Sequence, residues 1–237
     1  MTLLTTVQTA CELLTIPSPD TVMGNTDYQV AQLRGLLKVV GVDLLDKHDW
    51  APLITAATFT CGASNAQTGY PPAAFERMSD GSEMWNDTTN WRIDGPVTAQ
   101  EWTALLVQSV ATLPQHWRMI DGVFNIYAPK SGDTIRYEYI SKYWILQSGT
   151  TPADAFLADT DTFKLPELLL SLGLVWRWKQ AKGVDYAEDL ETFNSKLAAS
   201  VKKDKGGLQT ITTVRPQDVD WSRRRRNTWP PSSVTPV

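Results

Sequence analysis

The chain has 237 residues, 42% of them hydrophobic and 20% charged, with 22 Lys+Arg against 26 Asp+Glu and a formal net charge of −4. That length holds one elaborated domain or two small ones with ample material for a core, and the composition excludes wholesale disorder. The longest nearly apolar run, Leu168 to Trp176, is about half of what a bilayer-spanning helix needs, and residues 1–20 lack the charged region, apolar block and cleavage site of a secretion signal.

In chain order, Leu3, Leu4, Val7, Ala10, Cys11 and Leu14 recur at three-and-four spacing, which predicts a helix ended by Pro17-Ser18-Pro19. A second helix is expected to open at Thr26 with Gln29 reaching back as a capping box, and to run through Val30, Leu33, Leu36, Leu37 and Val40. After Trp50 and Pro52 the period changes. Residues 54–97 hold β-prone pieces such as Ile54 to Cys61, broken by Gly69, Pro71-Pro72, Gly81 and Gly95-Pro96. A short helix from Thr98 to Ala111, with a Thr98/Glu101 capping box, interrupts the strands.

Trp117–Ile120, Asp121-Gly122 and Val123–Tyr127 read as a tight hairpin, because Asp-Gly tolerates positive φ. The next run alternates, with Ile135, Tyr137 and Tyr139 on one face and Arg136 and Glu138 on the other. Pro166 and Glu167 open a helix over Leu168 to Lys182 that Gly183 closes. Asp185 with Glu188 caps a last helix reaching about Lys203. Residues 208–237 mix Pro, Ser, Thr and Arg with isolated tryptophans and predict an extended arm. The expected architecture is α+β: residues 1–53 and 150–207 form the two parts of a helical bundle, 54–149 a β-rich insertion with a short helix, and 208–237 the arm.

Residues that carry chemistry are few. Cys11 and Cys61 lack a CxxC spacing and read as reduced, half-buried thiols of a cytosolic protein. His48, just past a helix, suits a solvated or C-capping role better than general-base work, and His116 has no nucleophile beside it in sequence. Walker A, HExxH and zinc spacings are missing. Asp154, Asp159 and Asp161 could hold Mg²⁺ or Ca²⁺, but the EF-hand glycine and terminal bidentate Glu are missing, and they suit far better a polar loop whose side chains bond local backbone before a helix.

The tryptophans and the charge distribution say more. Leu168 to Trp178 is apolar on nearly every side, so it is either the central helix of the bundle or partly covered by another subunit. On the second reading Leu169, Leu172, Trp176 and Trp178 are the subunit-packing candidates. Residues 202–237 carry eight Lys+Arg against three Asp+Glu, a surplus of +5, and the first 201 residues carry 14 against 23, a balance of −9. Within the basic end, Arg223, Arg224, Arg225 and Arg226 stand between Trp221 and Trp229. That constellation fits a nucleic-acid patch with stacking indoles, a solvated charge run, or docking on an acidic protein with the tryptophans as anchors.

One long stretch is more specific. Phe156 to Thr162, Leu165-Pro166-Glu167 and Gly173 to Asp189 together resemble a recurring segment of the head-to-tail adaptor proteins of short-tailed phages, also called head–tail connector, packaged-DNA stabilisation or tail tubular A-type proteins. Asp49 to Leu53, Phe75 to Met78 with Gly95 to Thr98, and Arg136 to Lys142 resemble the same family in the same order, over roughly residues 1–205.

The resemblance implies a structural virion protein. Its members form a ring, commonly of twelve copies, under the portal at the capsid vertex. They join the portal to a tail nozzle or hub protein, with a fibre or spike beyond, and help retain packaged double-stranded DNA and form its exit channel. No catalytic residue, cofactor, metal or membrane is expected, and the host cytoplasm is where assembly takes place. Arg223 to Arg226 do not align with the family pattern. In relatives with a long C-terminal extension that segment looks like an arm that embraces the portal, which makes Trp221, Arg223 to Arg226 and Trp229 the partner-binding candidates. The alternative is a nucleic-acid-binding module using the same basic tail.

Overall fold

Strong helix caps toward both ends of the sequence and a β-branched, aromatic middle produce a mixed α+β structure with several antiparallel sheets, seen in a computed structural model that describes residues 1–108 and 115–204. The expected end of the short helix at Ala111 and the whole of the arm, 208–237, lie outside the described residues. Among the described residues there are five α-helices: α1 Leu3–Leu14, α2 Tyr28–Lys47, α3 Ala99–Gln108, α4 Glu167–Lys182 and α5 Ala187–Asp204.

Caps account for the starts of α1, α2 and α3 and for the end of α4. Thr98 and Glu101 exchange bonds as expected, the Thr98 amide donating to Glu101 Oε2 at 2.8 Å and the Glu101 amide to Thr98 Oγ1 at 3.3 Å. Gly183 takes the left-handed conformation, φ 70°, that closes α4. Ahead of α2 the cap is Asp27 rather than Thr26: its carboxylate accepts the Gln29 amide at 2.7 Å, a stronger acceptor for the orphan N–H groups than a hydroxyl. α1 carries a capping box of two threonines, Thr2 and Thr5.

The largest sheet runs β1–β7–β3–β4, from β1 Ile54–Thr60, β3 Met84–Asn86, β4 Trp91–Ile93 and β7 Thr134–Ser141, with β2 Phe75–Met78 also paired to β7. β7 alternates as its sequence predicts. Ile135, Tyr137 and Tyr139 are buried and Arg136 and Glu138 exposed. β5 Trp117–Ile120 and β6 Val123–Ile126 form the hairpin, with Asp121 at φ 51° and Gly122 at φ 69°. A third sheet, of order β10–β8–β9, is made of β8 Ile145–Gln147, β9 Thr151–Ala153 and β10 Thr162–Phe163.

Two hydrophobic clusters result. One joins the buried faces of α1, α2 and α4 with Phe193 of α5 and with Ile140, Trp144, Ile145 and Phe163. The other fills the β region with Phe59, Trp117, Phe124, Ile135, Tyr137 and Tyr139. β7 contributes to both, Ile140 to the first and Ile135, Tyr137 and Tyr139 to the second. Cys11 and Cys61 are fully buried rather than half-buried, are not joined in a disulfide, and burial pushes both thiols up. No described helix is long and apolar enough to cross a membrane.

Candidate functional site

α4 packs against α1, α2 and α5, which enclose most of its apolar girth, Leu168 remaining 57% exposed. Leu169 is fully enclosed and Trp176 is 8% exposed, so neither offers surface to a neighbour; Leu172 and Trp178 are half-buried. α2 and α4 approach so closely that a Cβ on Gly173 would lie 2.4 Å from Val40 Cγ1. Near the C-terminal end of α4 aromatic rings and cations interleave. The Arg177 guanidinium lies 4.4 Å from the Trp176 ring and pairs with Asp43 of α2. Lys179 bonds Asp189 of α5 at 2.6 Å. Lys182 stands between the rings of Trp178, at 5.5 Å, and Tyr28, at 5.7 Å.

Six buried polar side-chain atoms among the described residues lack a hydrogen-bond partner, and four of them belong to α2 and α4: Gln32 Oε1, Trp176 Nε1, Arg177 Nε and Trp178 Nε1. The other two are Thr6 Oγ1 and His116 Nδ1. The remaining sequence candidates, Trp221, Arg223, Arg224, Arg225, Arg226 and Trp229, lie outside the described residues.

Two of the three aspartates after β9, Asp159 and Asp161, are backbone anchors. Asp161 is fully buried and accepts the amides of Leu157 at 2.6 Å, Ala158 at 3.0 Å and Ser148 at 3.2 Å. Asp159 accepts the amides of Met23 at 2.6 Å and Val22 at 3.1 Å, while its carbonyl and that of Asp161 take the first amides of α1, from Leu4 and Leu3. Asp154 is exposed. Lone pairs committed to amides leave this loop as a clamp on α1 and on the link before α2. No group of three or more His, Cys, Asp or Glu among the described residues is placed to hold a metal ion.

A second junction joins α2 to the β region. The Asp49 carboxylate pairs with Arg77 of β2 and accepts the Asp80 amide at 2.6 Å and the Ser79 hydroxyl at 3.2 Å, and Arg77 also donates to the Leu45 carbonyl at 3.1 Å. Burial alone would push the Asp49 carboxyl up; the Asp80 amide, the Arg77 guanidinium and the Ser79 hydroxyl outweigh it and hold it below the ordinary carboxylate value. Beside it His48 is buried at the C-cap of α2 rather than solvated. Its Nε2 lies 3.0 Å from the Asp204 carboxylate, which also accepts the Ala51 amide at 3.0 Å. These groups border a pocket of about 650 Å³.

No protein-family model matches the chain, and no curated relative is similar to it at a significant level. The sequence pattern did not reveal the Asp49–Arg77 pair, since 28 residues and a change of secondary structure separate its members. The one available signal was that both residues stand in stretches bearing the adaptor resemblance.

Proposed function

We propose that this protein is a structural virion component, a ring-forming head-to-tail adaptor that binds the portal of a short-tailed phage, connects it to the tail and lines the DNA exit channel. In this reading the N-terminal and C-terminal helix pairs form one bundle, the β-rich segment decorates it, and the basic C-terminal arm reaches the portal. The observation that carries the proposal is where the resemblance-bearing residues stand. Asp159 and Asp161 clamp the start of α1, Gly183 and the Lys179–Asp189 bond set the α4–α5 turn, and Asp49 and Arg77 meet across the junction. These contacts fix the frame of the chain, which is what a structural component requires.

Charge fits the same role. A body with a balance of −9 repels phosphate and lets duplex DNA slide without sticking, whereas the +5 end suits an acidic protein surface. The test is native mass spectrometry and particle imaging of the full chain with and without portal. Closed rings and a portal-bound complex are expected; a chain that never binds portal at high concentration overturns the proposal. Removing residues 208–237 weakens portal binding while leaving the helical and β signals intact. Should the same deletion instead abolish salt-sensitive duplex binding, the basic tail serves a nucleic-acid-binding module.

A further inference from the structure

β1 stands at the edge of the largest sheet and is joined to β7 on one side only. It is the longest edge strand among the described residues, seven residues in unbroken register with β7, and Ile54 to Thr60 includes no charge, no proline and no glycine. Just past it the Cys61 amide donates to the Asp133 carbonyl at 2.7 Å, so by alternation Phe59, Ala57 and Thr55 turn their backbone groups toward β7. Ala56, Thr58 and Thr60 then turn theirs outward, where no bond to them is found among the described residues. Folded proteins blunt such edges with charge, proline, a bulge, shortness or a cover. The other edges comply. β2 carries Glu76 and Arg77 and a register shift, β9 is three residues long with Pro152, and β10 has two residues. β1 has none of these devices, which leaves a cover.

We propose that residues 208–214 of the same chain add to the free edge of β1 as a further strand. The end of α5 points to this occupant. Asp204 accepts the Ala51 amide at 3.0 Å, and Ala51 stands three residues before Ile54, so the chain leaves the described residues beside the start of β1. Lys205, Gly206 and Gly207 span up to about 10 Å, against the roughly 4.8 Å that separates neighbouring strands. The run Leu208 to Val214 that follows has the length of β1, is uncharged within an otherwise basic end, and holds five β-branched residues from Thr210 to Val214. Gly206-Gly207 before it and Pro216 after it bound it as a strand is bounded. Entering at Ile54, it runs parallel to β1. The tether makes the pairing intramolecular, which favours this segment over any free strand. Residues 217–237, with Trp221, Arg223 to Arg226 and Trp229, then start from the Thr60 end of the sheet and stay available to a partner. The proposal does not rest on the adaptor reading, because an unprotected edge calls for a cover whatever the chain binds.

The experiment uses the full-length chain. Residue-resolved hydrogen exchange compares wild type with the double variant Ile211→Pro, Thr212→Pro, in which proline removes ladder donors whichever way the added strand faces. The amides of Ala56, Thr58 and Thr60 are expected to exchange at least tenfold faster in the variant, with the amides of α4 unchanged as the sign of an intact fold. Equal exchange at those three amides overturns the proposal. A second measurement needs no proline. Thr58→Cys and Thr212→Cys are placed in one chain and treated with a short bis-maleimide; both native cysteines are buried, so the introduced pair reacts. A link within one chain is expected. A link only between chains overturns the same-chain assignment, and an unlinked product in which each introduced cysteine has reacted singly overturns the pairing. Neither readout involves portal, so a chain that fails to bind portal overturns the adaptor proposal and leaves this one standing.

Discussion

Asp161 is the residue on which the loop before α4 depends. Its carboxylate is fully buried and takes three backbone amides, so Asp161→Ala leaves three part-buried donors without their acceptor. A loss on the order of 3 kcal/mol in unfolding free energy is expected from chemical denaturation, with Asp161→Asn milder because one acceptor oxygen survives. Tyr137 shows the opposite chemistry, a buried group that resists ionisation. Burial pushes its hydroxyl up from 10.0 to about 12, helped by the neighbouring Tyr139 and Tyr70. The unfolded chain releases that proton first, so the contribution to stability is complete below pH 10 and is lost as pH rises from about 10 through 12. Tyr137→Phe keeps the ring and removes the titration; stability measured between pH 9 and 12 should fall less steeply for the variant.

At the scale of an element, α2 contains two glycines with opposite expectations. A Cβ on Gly41 would lie 2.2 Å from Cζ2 of Trp144, whose ring is fixed beside Phe163 and Phe156 in the helical cluster. Gly41→Ala should therefore cost about 1–3 kcal/mol, whereas Gly35→Ala, facing open space, should add roughly 0.5–1 kcal/mol; thermal melts of the two variants check the difference in sign. The same helix shows what sequence makes legible. Its core stripe and its approximate start follow from periodicity and a polar cap, because both are local. Which of two adjacent polar residues caps it depends on backbone geometry, and the better acceptor, Asp27, does so. β2, β3 and β4 are three or four residues long and are held chiefly by pairing with each other and with β7, far away in sequence, so no local period announces them. The sheet of β8, β9 and β10 falls in a stretch whose aspartates read as a loop for the same reason. For α4, an all-round apolar sequence is compatible with a central helix or a covered face, and only the positions of α1, α2 and α5 show how much of it the chain itself encloses.

For the whole molecule, the distribution of charge was readable and the joint between the helical and β clusters was not. Asp49 and Arg77 sit on different elements, and their encounter is a product of the fold. Because the Asp49 carboxyl is held below its ordinary value of 3.8, its contribution is present above that pH and is lost as pH falls through the lower folded value. Acid unfolding followed by circular dichroism should show a shallower dependence below about pH 4 for Asp49→Asn, which starts less stable at neutral pH by roughly 1–3 kcal/mol because Arg77 and the Asp80 amide lose a charged acceptor.

β7 passes through both clusters without interruption, Thr134 to Tyr139 among the β-region rings and Ile140 at the edge of the helices. A continuous strand is close to inextensible along its axis, since any lengthening breaks the ladder bonds to β1 and β2 on either side of it. Force applied to the sheet is therefore delivered to the helical cluster along a covalent backbone rather than through side-chain friction. Under the adaptor role proposed above, such a tie-rod would let the two clusters carry load together.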